Sequence, residues 1–207
     1  MKTGSDSTRL VVLRGNSASG KSTVAARVRE RHGRGIALVG QDNLRREVLR
    51  ERDVPDAANI GLIDLTVRYA LDHGFHVVLE GILYVAHYGT MIDGLCRDHR
   101  GGTHLFYLDV PFTETLARHA TKPIALDVTA DQLRGWYRPL DLLPGGIERI
   151  VGAGSTVEAT ADLIVRTAGL GQSAAVGERA ATGEANTPGG ANSPVGASGG
   201  ADDVATK

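Results

Sequence analysis

From Arg9 to about Gly169 the chain alternates between short, continuously apolar runs and segments whose apolar residues recur at helical spacing. The runs are Leu10–Arg14, Ile36–Val39, His76–Glu80, His104–Val110 and Ile147–Val151. Their length and unbroken apolar character predict strands of a parallel sheet covered on both faces. Between them, Ile60, Ile63, Val67, Ala70 and Leu71 share one helical face, and Gly74 stands where that helix should stop. Tyr84, Tyr88, Met91 and Leu95 follow an i, i+4, i+7, i+11 pattern that ends before Gly101-Gly102. Ser155-Thr156-Val157-Glu158 reads as a capping box opening the last helix. Strand–helix alternation of this kind predicts βαβ units, hence an α/β fold of three layers with helices on both faces of one sheet.

The segment Pro111–Gly146 breaks the rhythm. It is too long for one crossover helix and holds two helical pieces, Phe112–Ala120 and Ala130–Tyr137, parted around Pro123, with Thr129 and Gln132 forming a capping box for the second. A helical insertion at the carboxyl ends of parallel strands is expected to act as a lid, because those ends form the ligand crevice. Residues 171–207 contain no Leu, Ile, Met or aromatic residue and are mostly Gly, Ala, Ser and Thr with scattered Pro. Such a segment cannot bury enough apolar surface to offset its ordering entropy, about 1–2 kcal/mol per residue. The expectation is one domain over residues 1–170, a lid over about 111–146, and a disordered tail over 171–207.

The bulk properties narrow this picture only slightly. A formal net charge of −1 argues against nucleic acid as the main partner. The single cysteine, Cys96, rules out an intramolecular disulfide and is expected to be a buried thiol on a helix. The polar stretch Met1–Arg9 has no signal-like apolar region, and no apolar run approaches the roughly 18 residues that span a bilayer. A soluble, cytoplasmic protein, monomer or homodimer, is expected.

The chemistry begins between the first strand and the first helix. Gly15-Asn16-Ser17-Ala18-Ser19-Gly20-Lys21-Ser22, followed by Thr23, matches G-x-x-x-x-G-K-[ST] in the strand-then-helix context the motif requires. Gly15 and Gly20 permit backbone geometries that turn successive N–H groups inward around a polyphosphate. The positive end of the following helix points at the same anion. Lys21 is expected to reach the β- and γ-phosphates, and the Ser22 hydroxyl to bind Mg²⁺.

Other candidates lie where the remaining strands end. Glu80 closes the third strand in the position of a Walker-B acid. It either holds Mg²⁺ and orients the attacking group, or is a hydrogen-bonded strand-end carboxylate. Gly81 follows it, so the second carboxylate that commonly polarises water in a hydrolytic ATPase is missing, which counts against a motor or AAA-type chain. Asp42, just past strand two, is the candidate base that accepts a proton from an acceptor hydroxyl. Alternatively it is the N-cap of the run containing Leu44, Val48 and Leu49. Asp109 lies near the end of strand four. Arg45 and Arg46, one turn beyond Asp42, either bind an acidic or hydroxylated substrate or are solvated. Arg118, Lys122, Arg134 and Arg138 put four positive charges in the insertion; Arg118 and Arg138 are the first candidates for stabilising a transferred phosphoryl group. Trp136, the only Trp, is expected to pack in the core, with stacking on a ligand as the alternative. Tyr84 and Tyr88 either line an acceptor pocket or pack their helix, and the histidines are expected to be structural or superficial.

The loop with Arg14, together with Gln41-Asp42, Leu79-Glu80-Gly81, Phe106–Pro111 and Arg118-His119-Ala120-Thr121-Lys122-Pro123, resembles the P-loop kinases of the zeta-toxin and chloramphenicol phosphotransferase group, within the adenylate-kinase-like set. The likeness spans Arg9 to about Leu170. It implies a five-stranded parallel sheet in the order 2-3-1-4-5, ATP as donor, Mg²⁺, and Asp42 as the acceptor-side base. It further implies that Arg118 lies near adenine or the phosphates and that Gly152–Ser155, with Gly152 and Gly154, packs on the adenine edge. Lys122 stands where such kinases often carry Arg, which puts a bidentate phosphate contact there in doubt. The group acts on antibiotics, nucleotide-sugars, sugars and nucleosides, so the implied activity is phosphoryl transfer from ATP to a hydroxyl of a small molecule. The competing readings are a non-catalytic nucleotide-binding module, a GTPase-type switch, and a kinase of polynucleotide ends. No N-K-x-D sequence reads guanine, and no aromatic-basic stripe tracks a nucleic acid.

Overall fold

The five apolar runs form five parallel strands, β1 Arg9–Gly15, β2 Ile36–Gly40, β3 His76–Gly81, β4 Gly102–Asp109 and β5 Glu148–Gly152, in one sheet of order β2-β3-β1-β4-β5. This computed structural model describes residues 1–121 and 128–171. They lie within one compact unit, Met1–Ala174. Lys122 and Pro123, and the tail from residue 172, lie outside the described residues. The helices are α1 Lys21–His32, α2 Ala58–Asp72, α3 Val85–Asp98, α4 Phe112–Ala120, α5 Ala130–Trp136 and α6 Val157–Ala168, with a π-helical turn over Asn43–Val48. Among the described residues, no helix is long and apolar enough to cross a membrane.

Alternation along the strands divides the core between the two faces. Leu10 and Val12 of β1, with Val77 and Leu79 of β3, pack with Ile63, Val67 and Leu71 of α2 and Ile92 and Leu95 of α3. Val11 and Leu13, with Val78, Phe106 and Leu108, pack instead with Val24 and Val28 of α1 and Ala161 and Ile164 of α6. Both faces are therefore covered, which is why the strands carry no polar alternation.

Register aligns the carboxyl ends. Gly40 pairs with Glu80, Leu13 with Glu80, Gly15 with Leu108, and Asp109 with Gly152. The chain leaves β1 for β2 and β3 on one side and reaches β4 and β5 on the other, so the crevice where the order switches opens beside Gly15.

Two local expectations change. The last helix is capped by Thr156, whose side chain accepts from the Ala159 N–H, and not by Ser155. Ser155 Oγ pairs with Thr160 Oγ1 at 2.9 Å, so the S-x-x-E pattern is offset by one residue from the working cap. Cys96 is half-buried, and its thiol pKa is pushed up to about 11, chiefly by burial. The capping box at Thr129 and Gln132 is present on both sides, fixing the start of α5.

Candidate functional site

The phosphate loop leaves β1 at Gly15 and delivers α1 at Lys21. Gly15 has φ +148° and lies against strand four: a Cβ there would sit 2.7 Å from the Leu108 carbonyl oxygen and 3.0 Å from Ser19 Oγ. Gly20 has φ +101° and Ala18 φ +59°, so the turn occupies left-handed backbone at both ends of Ser19. Lys21 is buried, and its Nζ donates to the Asn16 carbonyl at 2.8 Å. Asn16 holds the loop to the end of the insertion: its Oδ1 accepts from the Arg138 N–H at 2.8 Å and its Nδ2 donates to the Arg138 carbonyl at 2.8 Å.

Beneath the loop lies a buried polar cluster. Arg14 has 0% exposure and donates from Nε (3.0 Å) and Nη2 (2.8 Å) to the Leu83 carbonyl, while Nη1 meets Glu148 at 2.9 Å and Nη2 meets Asp141 at 3.0 Å. Every face of the guanidinium fork is therefore engaged. Tyr107 presents its ring 5.8 Å from that guanidinium, and burial pushes its hydroxyl pKa up to about 12.

Three adjoining cavities surround the loop. The first, of about 440 Å³, lies between the loop and β5; Gly20, Thr23, Arg118, Gly152 and Gly154 are among its lining residues. Arg118 Nη1 donates to the Ser19 carbonyl at 3.0 Å, and its other amine pairs with Glu114. The second, of about 150 Å³, is lined by Ser17, Lys21, Ser22, Asp42, Glu80 and Arg46, together with His119, Val128 and Trp136. Here Ser22 Oγ donates to Glu80 Oε1 at 3.0 Å. The third, of about 400 Å³, continues from Asp42 and Arg46 to Arg45, Arg52, Asp53, Tyr84 and Trp136.

Asp42 thus faces both the loop side and the outer cavity. Its carboxylate makes no capping bond to the following turn; it accepts from Arg45 Nη2 at 2.7 Å and is 67% exposed. Gly81 has a steric reason: a Cβ there would lie 2.5 Å from Gln41 Oε1 and 2.6 Å from Gln41 Cβ, so this packing excludes a second acid after Glu80. Gln41 is needed in that place, because its Oε1 accepts from the Leu83 N–H and its Nε2 donates to Asp53.

Other candidates are placed elsewhere. Arg134 lies over the Phe112 ring at 4.6 Å and lines none of these cavities. The Arg138 guanidinium folds back onto the Gly135 and Tyr137 carbonyls and over the Tyr84 ring, so it is the Arg138 backbone that meets the loop. Tyr88 is fully buried, hydrogen-bonded to Asp53 and Asn59, and its pKa is raised by burial and then by the Asp53 charge. Trp136 is not core: it is 38% exposed and borders two cavities, while its carbonyl accepts from Tyr84 Oη.

Sequence reasoning missed Arg14's buried partners, Arg52, Asp53 and His119. An arginine in an apolar strand is itself a signal that carboxylates must converge on it. Arg52 and Asp53 lie in an aperiodic polar stretch with no comparable signal. That stretch is ordered by Glu51, whose carboxylate accepts from the Ala58 and Asn59 N–H groups and Asn59 Nδ2 at the start of α2. The Asn59 side chain first, then the two backbone bonds, hold the Glu51 pKa below the ordinary carboxylate value.

A parallel sheet in this order, with a phosphate loop at its switch point and a helical insertion, defines the P-loop kinase fold. The chain belongs to the AAA domain family, which it matches over residues 10–141. Gly81 leaves no second carboxylate directly after Glu80. Among solved structures, the chain is similar to the Mycobacterium tuberculosis APS kinase CysC in complex with AMPPNP and APS, at 20% identity and TM-score 0.56, covering 80% of this chain and 98% of that one. It is also similar to the Deinococcus radiodurans tunicamycin resistance protein, at 16% identity and TM-score 0.55, covering 78% and 96%. A gluconokinase from Sinorhizobium meliloti matches at 17% identity and TM-score 0.53, covering 81% and 94%. At these identities the likeness establishes the fold. No curated protein matches the chain in sequence.

Proposed function

We propose that the protein is a Mg²⁺-dependent phosphotransferase that moves the γ-phosphoryl group of ATP to a hydroxyl of a small molecule in the cytoplasm. The observation that carries this reading is the position of Asp42, which lines both the cavity holding Lys21 and Ser22 and the larger cavity beyond it. A carboxylate shared between a phosphate cradle and a second cavity is suited to take an acceptor proton while the acceptor oxygen attacks the γ-phosphorus and ADP leaves. The cavity between the loop, Arg118 and Gly152–Ser155 is the place for the nucleoside. Activity on small hydroxyl compounds accords with the kinases that share the fold.

The donor set fits Mg²⁺. Ser22 and Glu80 offer a hydroxyl and a carboxylate oxygen 3.0 Å apart. Among the described residues no group of three or more His, Cys, Asp or Glu converges as a cation cage. Mg²⁺ bound mainly by phosphate oxygens and water needs only one or two protein oxygens. When bound, it would supply charge neutralisation on the phosphates.

Transfer of labelled γ-phosphate to a panel of sugars, nucleosides and natural-product alcohols tests the reading. The expected result is acceptor-dependent labelling that Asp42→Ala abolishes while ATP still binds. ATP binding without any acceptor-dependent turnover, or an Asp42→Ala protein of full activity, overturns it.

A further inference from the structure

The acceptor-side cavity carries more positive charge than a neutral alcohol requires. Three guanidinium groups, Arg45, Arg46 and Arg52, line its roughly 400 Å³ alongside two carboxylates, Asp42 and Asp53. The carboxylates are already engaged. Asp42 is paired with Arg45 at 2.7 Å. Asp53 accepts from Tyr88 Oη at 3.0 Å and Gln41 Nε2 at 3.2 Å, and it lies 3.1 Å from His87 Nδ1. Among the described residues neither Arg46 nor Arg52 forms an ion pair or a side-chain hydrogen bond. In a chain of net charge −1, three guanidiniums against two carboxylates leave this lining positive by one charge, with Arg46 and Arg52 unpaired among the described residues. Trp136, Tyr84, Ile82 and Val54 add aromatic and apolar surface to the same lining.

We infer that the acceptor is an anion: a small, ring-bearing hydroxyl compound whose carboxylate, phosphate or sulfate group is held by Arg52 and Arg46 while its body lies on Trp136 and Tyr84. A planar guanidinium fork matches paired oxyanion oxygens, and such charge-assisted bonds are about twice as strong as neutral ones. Aromatic side chains supply the complementary flat surface. A cavity of this size holds a metabolite and not a polymer segment. Arg46 also borders the phosphate side, whereas Arg52 borders only the acceptor cavity, so Arg52 is the specificity residue proper. Glu51 positions it, because the adjacent Glu51 carboxylate is clamped on the start of α2. This inference rests on the outer cavity being the acceptor side.

Trp136 is the chain's only tryptophan and borders the cavity, so its fluorescence reports occupancy directly. With ADP and Mg²⁺ saturating the donor side, the protein is titrated with mandelate against mandelamide, and with phenyl glucoside against its phosphate and sulfate esters. At least one anion is expected to quench Trp136 at a concentration about tenfold or more below its neutral partner, the worth of a charge-assisted bond. The better ester identifies the oxyanion. Arg52→Gln is expected to bring that ratio close to one and Arg52→Lys to keep part of it, with ADP affinity unchanged in both. Equal binding of neutral partners, a ratio that survives Arg52→Gln, no quenching by any probe, or tighter binding of a hydroxyl-ended oligonucleotide overturns the inference. Its failure is distinguishable from failure of the kinase reading: turnover of neutral alcohols with no anion preference removes only the inference, whereas selective anion binding with no phosphoryl transfer removes the kinase reading and leaves Arg52 as part of an anion site that is not an acceptor site.

Discussion

Arg14 and Glu148 face each other inside the protein, with Nη1 2.9 Å from Oε1 and 3.1 Å from Oε2 and side-chain exposures of 0% and 2%. The pair joins the residue before the phosphate loop to the start of β5. Glu148 Oε2 also accepts from the Leu143 N–H at 2.6 Å, and Asp141 Oδ2 accepts from both Arg14 and the Val85 N–H. Removing Glu148 leaves the buried Arg14 with Asp141 as its remaining carboxylate and takes the acceptor from the Leu143 N–H; breaking a buried pair costs about 3–5 kcal/mol. Glu148→Ala is therefore expected to lower stability by about that amount, read as a fall in the denaturant midpoint. The double variant Arg14→Met/Glu148→Leu is expected to recover a large part of it. A Glu148→Ala protein as stable as the parent would show that the pair contributes nothing.

Much of this fold was legible because its signals are local. Five apolar runs announced five strands, and Gly15–Ser22 announced its own loop, since both depend on residues close in sequence. Glu80 was readable because register, once β3 is recognised, carries its last residues to the crevice. Arg14's partners were not readable, because Asp141 and Glu148 reach it from across the sheet at separations of 127 and 134 residues. Arg138 misled for a related reason: its charge suggested a reaching side chain, but the loop is held by its backbone. An aromatic side chain such as Trp136 predicts core packing, yet α5 ends with it and leaves it bordering a cavity.

Arg45 Nη2 meets Asp42 Oδ1 at 2.7 Å across one turn. If Asp42 takes the acceptor proton, Arg45 acts through it, holding the carboxylate in place. Arg45→Ala is expected to lower kcat by roughly tenfold, less than the hundred- to ten-thousandfold that the general base itself supplies, with the KM for ATP unchanged. In the Asp42→Ala background the same substitution is expected to add little, because coupled residues are not additive. Steady-state kinetics on the four proteins gives the answer. Independent, additive losses would separate Arg45 from the base.

Acid should weaken the fold before the carboxylates titrate. The Arg9 N–H donates to His76 Nδ1 at 3.0 Å, a bond that needs this nitrogen unprotonated. Burial first, then the nearby His32 and Arg9 charges, lowers the His76 pKa below its ordinary 6.5. His99 and His104 are lowered as well, again chiefly by burial. With folded values below the unfolded one, the unfolded chain binds more protons between them. Stability is complete above pH 6.5 and falls as pH drops through that value toward the folded pKa values. Melting temperature is expected to be flat from about pH 7 to 8 and to decline below about 6.5, with a shallower decline in His76→Gln. Melting curves that keep their midpoint down to about pH 5 would remove the histidines from the stability balance.

Ser22 Oγ, in the first turn of α1, donates at 3.0 Å to Oε1 of Glu80, near the end of β3. If the pair holds Mg²⁺ with the nucleotide, losing either oxygen weakens the ion without emptying the phosphate loop. Ser22→Ala and Glu80→Gln are each expected to raise the Mg²⁺ concentration needed for tight ADP binding by about 10–100-fold, the usual scale for groups that hold or orient a metal. Metal-free nucleotide binding should stay near the parent value, because Lys21 and the loop N–H groups remain. Calorimetric titration of ADP at stepped Mg²⁺ concentrations separates these effects without requiring turnover. The loop's own share is read from Lys21→Ala, which is expected to weaken nucleotide binding at every Mg²⁺ concentration. A Glu80→Gln protein with the parent's Mg²⁺ dependence would leave Glu80 as a hydrogen-bonded strand-end carboxylate with no part in holding the ion.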